Sequence, residues 1–204
     1  MGTANDVVLI DAGGTNIGSV HYALERLGVE AAMSDDPARI RAASHVILPG
    51  VGAAGPGMAR LRQNGLDAVI RGLTQPVLGV CLGMQLLFEY SEEGDTPCLG
   101  VVRGQVRHFP RNNGLRVPHM GWNALAAECD DPLLDGLDNT DGHAYFVHSY
   151  AAPVGPDTLA RSDYGMPFST VVRRGNFCGM QFHPERSAAV GARLLGNFLK
   201  MQTS

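Results

Sequence analysis

Three side chains in this sequence of 204 residues have the types and surroundings that covalent acyl chemistry needs. Cys81 stands in "GVCLGMQ", with Gly79 and Gly83 two residues to either side. Before it, "LTQPVL" closes a loop at Pro76 and opens an apolar run, Val77, Leu78 and Val80, that reads as a short buried strand. After it, "LGMQLLFEYSEE" carries Leu82, Leu86 and Tyr90 at helical spacing. A cysteine at a sharp strand-to-helix turn sits beside the unpaired N–H groups of the helix start, the setting of an activated nucleophile. The glycines keep side chains out of the place where such an elbow folds back on itself. The base is sought in "GMQFHPERS". There Met180 and Phe182 alternate on a strand that should end at His183, because Pro184 cannot continue a ladder. Glu185 can then reach back to one ring nitrogen while the other faces a thiol, giving nucleophile, base and orienter. Taken singly, Cys81 could be a core cysteine and "HPE" a surface turn; their joint presence favours chemistry.

Acyl transfer also needs donors for an oxyanion. The backbone N–H of Leu82 follows the nucleophile directly, and the loop "PGVG", Pro49 to Gly52, could bring a second from Val51 or Gly52. A glycine-rich loop could instead cradle phosphate, but "PGVG" has neither GK[ST] nor GxGxxG spacing, and "DAGGTNIG" has only part of a dinucleotide fingerprint.

The elements that must carry these residues alternate through the first half. "VVLI" (7–10) is an apolar strand; after a glycine turn, Asn16 can cap a helix with Ile17, Val20, Leu24 and Leu27 on one face, ended by Gly28. "EAAM" is a short strand, "DDPARIRAA" a helix opened by Asp36 and Pro37, and "HVILPG" a buried strand. "GVGAAGPG" reads as a glycine loop and "MARLRQNGLDAVIRGL" as a helix with an awkward Gly65. Such alternation predicts an open, mostly parallel α/β sheet covered by helices on both faces. In that architecture the C-terminal ends of parallel strands are neighbours however distant in sequence, and ligands bind there. The second half has shorter, more alternating strands, and a closing helix from Ala188 carries Val190, Leu194, Leu195, Phe198 and Leu199. With no repeat or linker, residues 1–204 are read as one domain.

Bulk properties narrow the function. Apolar residues make up 45%, enough for a sizeable core, and the net charge of -4 with only 16 Lys+Arg argues against a nucleic-acid surface. The start "MGTANDVVLIDAGG" has no basic region, and no long apolar run suggests a membrane span, so a cytoplasmic protein is expected. Cys81, Cys98, Cys129 and Cys178 are far apart and form no CxxC, which suits a reducing compartment. A zinc site from Cys178, His183 and Glu185 would lack a fourth ligand, so no metal is expected.

"PGVG", "GVCLGMQLLFE" (79–89) and "FHPE" (182–185) together resemble the triad-type, class I glutamine amidotransferases. "VPHMGWN" (117–123) and "YFVHSY" (145–150) make the chain similar, along essentially its whole length, to the family of glutaminase subunits of imidazole glycerol phosphate synthases, from histidine biosynthesis. The resemblance implies a flavodoxin-like α/β fold and no cofactor. It implies Cys81 as nucleophile on the glutamine side-chain amide, His183 as acid/base and Glu185 as its orienter. It puts the glutamine contacts on Gly52, Gln85, Glu93, Ser149 and Tyr150, beside the oxyanion donors already read from the residues, Leu82 and, in the loop, Val51. The implied partner is a cyclase subunit with a (β/α)8 barrel, bound as a heterodimer, which receives the ammonia. One departure stands out: relatives resemble Asp-Tyr-Gly-x-Gly-Asn at the first loop, where this chain has Asp11 to Asn16, "DAGGTN".

Asn16, Trp122 and Tyr145 are the candidate partner contacts. Trp122, the single tryptophan, could equally fill the core, whereas aromatics are enriched in interface hot spots. Alternation puts Tyr145 and Phe146 on opposite faces, so at most one of them is core.

Overall fold

Apolar runs too short for helices become strands, and the register between them decides what meets at the sheet edge. The computed structural model describes residues 6–11, 17–110, 114–137 and 142–202. The first half comprises β1 (Val7–Ile10), α1 (Ile17–Arg26), β2 (Ala31–Ser34), α2 (Pro37–Ala42), β3 (His45–Gly50), α3 (Ala54–Gln63), α4 (Leu66–Arg71), β4 (Val77–Cys81) and α5 (Leu82–Leu87). The second comprises β5 (Tyr90–Ser91), β6 (Thr96–Pro97), β7 (Gln105–His108), β8 (His119–Ala124), β9 (Ala126–Ala127), β10 (His143–His148), β11 (Tyr150–Ala151), β12 (Thr158–Asp163), β13 (Pro167–Arg174), β14 (Phe177–Met180) and α6 (Ala188–Leu199).

The main sheet has eight strands in the order β2-β1-β3-β4-β14-β13-β12-β9. From β2 to β14 every neighbour is parallel; beyond β14 the pairs are antiparallel. The expected open, mostly parallel α/β sheet is what forms. Because strand side chains alternate between faces, Val7 and Leu9 enter one core with α1 and α6, while Val8 and Ile10 enter the other with α2 to α5. Parallel strands buried on both faces have no solvent side, hence the uninterrupted apolar runs. Two smaller sheets lie beside the main one, the ribbon β8–β10 and the set β11-β7-β5-β6.

The register that matters runs across β3, β4 and β14. Gly50 pairs with Cys81, Pro49 with Val80, and Met180 also with Val80. The C-terminal ends of three adjacent parallel strands therefore deliver "PGVG", Cys81 and "FHPE" to one edge.

Several boundaries differ from those expected. The residues after "GVG" are not loop: α3 already starts at Ala54, with Pro56 in its first turn, where a missing N–H costs nothing. Gly57 lets that helix lie on α5, since a Cβ there would stand 3.2 Å from a Leu86 methyl. The helix expected to pass through Gly65 breaks there into α3 and α4, because Gly65 adopts φ 64°. The helix after Cys81 stops at Leu87: Phe88 is extended, and Tyr90 lies in β5 rather than on a helical face. Asp36 accepts from the Ala38 amide at 2.9 Å and caps α2 as expected, whereas Asn16, the expected cap of α1, lies outside the described residues. Leu27 falls just beyond α1, and Gly28 turns the chain at φ 76°.

Candidate active site

Cys81 closes β4 with φ 53° and ψ -112°, a positive-φ conformation that costs a side chain about 1–3 kcal/mol and persists only where surroundings enforce it. The enforcement is steric. A Cβ on Gly83 would lie 1.9 Å from the Leu48 carbonyl oxygen, one on Gly50 2.4 Å from the Gly83 nitrogen, and one on Gly79 2.6 Å from the Gly83 carbonyl. The backbones at the end of β3, in β4 and at the start of α5 touch with no room for a methyl. This contact fixes the elbow and aims Cys81, 8% exposed, above the sheet edge. Its Sγ lies 4.0 Å from the Val147 carbonyl oxygen and 4.0 Å from Gln181 Nε2.

β14 ends at Met180, earlier than the His183 expected from the proline. Gln181 still donates its amide to Thr170 in β13, at 2.9 Å, but the His183 amide donates instead to Tyr145 of β10, at 3.0 Å. The chain thus leaves the main sheet for the β8–β10 ribbon just before the histidine, and Pro184–Arg186 forms a tight 3₁₀ turn. This turn brings Glu185 Oε1 to 2.9 Å from His183 Nδ1, with the carboxylate side chain only 2% exposed. An ionised carboxylate only accepts, so Nδ1 carries a proton and Nε2 is the nitrogen left for Cys81. Burial opposes charging the ring, but hydrogen bonding and charge from Cys81 and Glu185 outweigh it and raise the His183 pKa from 6.5 to about 10.

The elbow and the histidine wall a cleft of about 350 Å³. Cys81, His183, Val51, Gly52, Leu82, Gln85, Glu93, Ser149 and Tyr150, all candidates from sequence, line it. Gly52 takes φ 98° at the loop tip. Glu93 Oε2 accepts from the Ala54 amide at 2.8 Å, tying the end of that loop to the pocket rim. Gln85 Nε2 donates to the Tyr150 carbonyl at 2.9 Å and to Gln181 Oε1 at 3.0 Å. Both amide hydrogens are thereby committed, and Oε1 is left to meet a ligand donor.

Gln181 and two histidines belong to the site without having been candidates from sequence. His148, which also lines the cleft, places Nδ1 2.8 Å from the Tyr150 carbonyl and Nε2 3.1 Å from His119 Nδ1. The carbonyl can only accept, so His148 donates through Nδ1 and accepts from His119 through Nε2. Both rings are neutral. Burial lowers His119 to about 4, where it stacks on Tyr164 and Phe146, and lowers His148 to about 3, helped by the charges of His119 and His183. Both lie inside the segments that carried the resemblance, at alternate strand positions, but no local pattern pairs them.

Of the candidate partner contacts, Trp122 is 55% exposed, so the core-filling alternative fails. It pairs across the ribbon with half-buried Tyr145, their rings 6.0 Å apart, while Phe146 is fully buried. Met120, on the same outer face, is also exposed and pairs with Val147 of the cleft wall. Asn16 lies outside the described residues. Among the described residues no cluster of three or more His, Cys, Asp or Glu could hold a metal ion, and no helix is long and apolar enough to cross a membrane.

A mostly parallel α/β sheet carries a strained cysteine elbow, a histidine–glutamate pair and a glycine loop at one edge, the set of groups that elbow-cysteine acyl transfer would use. The profile of the glutamine amidotransferase class-I family matches residues 8–201, and the chain belongs to that family. It is 59% identical over 196 residues to the imidazole glycerol phosphate synthase subunit HisH of Xanthomonas axonopodis pv. citri, covering 96% of this chain and 98% of that one. It is 52% identical over 199 residues to the protein of the same name from Xylella fastidiosa, covering 98% and 99%. Among solved structures, a crystal structure of a glutamine amidotransferase superposes with TM-score 0.72 at 25% identity, over 95% of this chain and 97% of that one. A glutamine amidotransferase of Thermotoga maritima shares the fold, with TM-score 0.65 at 19% identity over 98% and 82%.

Proposed function

We propose that residues 1–204 form a single-domain glutaminase subunit of an imidazole glycerol phosphate synthase, hydrolysing glutamine through a thioester on Cys81. The observation that carries this is the convergence of the Cys81 elbow, the His183–Glu185 pair and the Val51–Gly52 loop on one cleft at three adjacent strand ends. In the proposed reaction the Cys81 thiolate attacks the side-chain carbonyl carbon of glutamine. The N–H groups of Leu82 and Val51 hold the oxyanion, Gln85, Glu93, Gly52, Ser149 and Tyr150 hold the amino-acid end, and the His183 imidazolium passes its Nε2 proton to the departing amine. Ammonia leaves and a thioester remains. Water then attacks, His183 takes the water's proton, and the collapsing intermediate releases glutamate and restores the thiolate and imidazolium.

The ammonia passes to a cyclase subunit with a (β/α)8 barrel, in a heterodimer. The outer face of the β8–β10 ribbon supports this, because it exposes Met120 and Trp122, and Met120 pairs with Val147 of the cleft wall. The cyclase consumes the ammonia to make imidazole glycerol phosphate and the aminoimidazole carboxamide ribonucleotide. Sparse, widely separated cysteines favour a reducing compartment, and the reaction is placed in the cytoplasm. In the assembled enzyme, Cys81→Ala is expected to abolish synthesis from glutamine while synthesis from added ammonia survives. Glutamine-dependent ammonia release by that variant would overturn the assignment.

A further inference from the structure

We propose that Ser187 is a positioning residue for His183, locking the base to the exposed ribbon instead of capping the helix it begins. The proposal rests on the reading of His183 as the acid/base. Ser187 stands at the N-cap of α6, where a serine ordinarily accepts from an amide of the first helical turn. Here its side chain makes no such bond. The fully buried hydroxyl donates to the His183 carbonyl at 2.7 Å and accepts from the Tyr145 amide at 2.9 Å. The His183 amide in turn donates to the Tyr145 carbonyl at 3.0 Å. These three bonds close a ring that engages both main-chain polar groups of His183 and both of Tyr145.

The neighbouring backbone has the character of an enforced geometry. Ala188 takes φ 47°, and with Cys81 and Asp95 it is one of three described residues other than glycine at positive φ. Such strain survives only where contacts over-determine it, and it gathers at functional sites. The turn is also clamped from behind: Ser187 donates its amide to the Pro184 carbonyl at 3.2 Å, and a Cβ on Gly191 would stand 2.0 Å from that same oxygen.

Tyr145 meets Trp122 on its outer side and has the Arg186 guanidinium 5.6 Å over its ring. A shift of β10 caused from outside must therefore drag the main chain of His183, and Ser187 is the side chain that transmits it. The removal of one hydroxyl should act on turnover rather than on glutamine binding, since none of its bonds faces the pocket.

The test compares wild type, Ser187→Ala and Ser187→Thr as full chains assembled with the cyclase, measuring glutamine-dependent ammonia release from pH 6 to 11. Ser187→Ala should lose tenfold or more in kcat with KM for glutamine held within twofold, and its alkaline limb should fall below that of wild type as the ring loses its place beside Cys81. Ser187→Thr, which keeps the hydroxyl, should recover most of the rate. If the alanine variant does not fold, Ser187→Cys, with similar volume and a weak donor, carries the same expectation. A variant lacking the hydroxyl but with wild-type kcat and alkaline limb overturns the positioning role. A wild type that releases no ammonia from glutamine overturns instead the function on which it rests.

Discussion

Glu185→Gln tests how the buried carboxylate tunes its histidine. In the folded protein His183 stays protonated to about pH 10, although burial alone would drive its pKa below 6.5. Net of the cost of burial, holding the proton that far is worth about 5 kcal/mol, supplied by the Cys81 sulfur and the Glu185 carboxylate. Glutamine at 185 can still accept from Nδ1–H at the 2.9 Å position of Oε1, but as a neutral group. The difference between a charge-assisted and a neutral hydrogen bond is about 1–2 kcal/mol, which lowers the histidine by roughly one pH unit. The alkaline limb of glutamine-dependent kcat/KM in the assembled enzyme, which reports the free site, should move from near 10 to near 9. The rate on the plateau should fall about tenfold to a hundredfold, since losing about 1–2 kcal/mol of imidazolium stabilisation is compounded by a less firmly oriented ring. The sign for stability follows from a folded pKa above the unfolded one. The wild-type pair contributes fully below pH 6.5, and its contribution is lost as pH rises through about 10. Steady-state ammonia release across pH 6–11 reads the limb, and urea midpoints at pH 7 and 10 read the stability. A limb that stays at 10, or a rate loss as large as that of Cys81→Ala, refutes the view of Glu185 as an orienter that tunes the base electrostatically.

Four further outcomes are expected. Gly83→Ala, whose Cβ would meet the Leu48 carbonyl at 1.9 Å, should cost about 3 kcal/mol or more and lower Tm by about 6–12 °C; an unchanged melting curve would show that the elbow has slack. Replacing His148 by Leu should raise KM for glutamine about tenfold by removing one of the two donors, His148 and Gln85, that hold the Tyr150 carbonyl, whereas Asn, with a donor at the Nδ1 position, should raise it less; equal effects would deny the anchoring. His119 and His148 titrate near 4 and 3 when folded but near 6.5 when unfolded. Their contribution to stability should therefore be complete above pH 6.5 and fall by about 1.4 kcal/mol per pH unit per histidine on acidification below it, which urea midpoints at pH 7, 6 and 5 would show. Finally, kcat of the lone chain should rise at least tenfold when cyclase and acceptor nucleotide are added, in the range expected if partner docking completes an oxyanion donor on the Val51 loop; equal rates would exclude such a switch.

What the residues declare by themselves is what short-range sterics decide. An unbroken run such as "HVILPG" can only be a buried strand, and a cysteine between Gly79 and Gly83 can close an elbow because neither neighbour brings a side chain. His183 and Glu185 meet because two residues and a proline confine the turn that joins them. The C-terminal end of α5 and the break at Gly65 were not legible, since a helix stops where its backbone finds better partners elsewhere. Phe88 closes the helix by donating its amide to Gln85 and accepting from Gly100, and Tyr90 pairs in a small sheet that no local periodicity announces. Chain register across β3, β4 and β14, inferred in outline from alternation, was decided residue by residue only by packing. The hydrogen bonds from His119 through His148 to Tyr150, from Gln85 to Gln181, and from Tyr145 through Ser187 to His183 join residues that sequence keeps apart or gives other roles. A serine before a helix reads as a cap and a histidine in a strand as a surface residue until the tertiary fold removes water and leaves each buried polar group only protein partners to find.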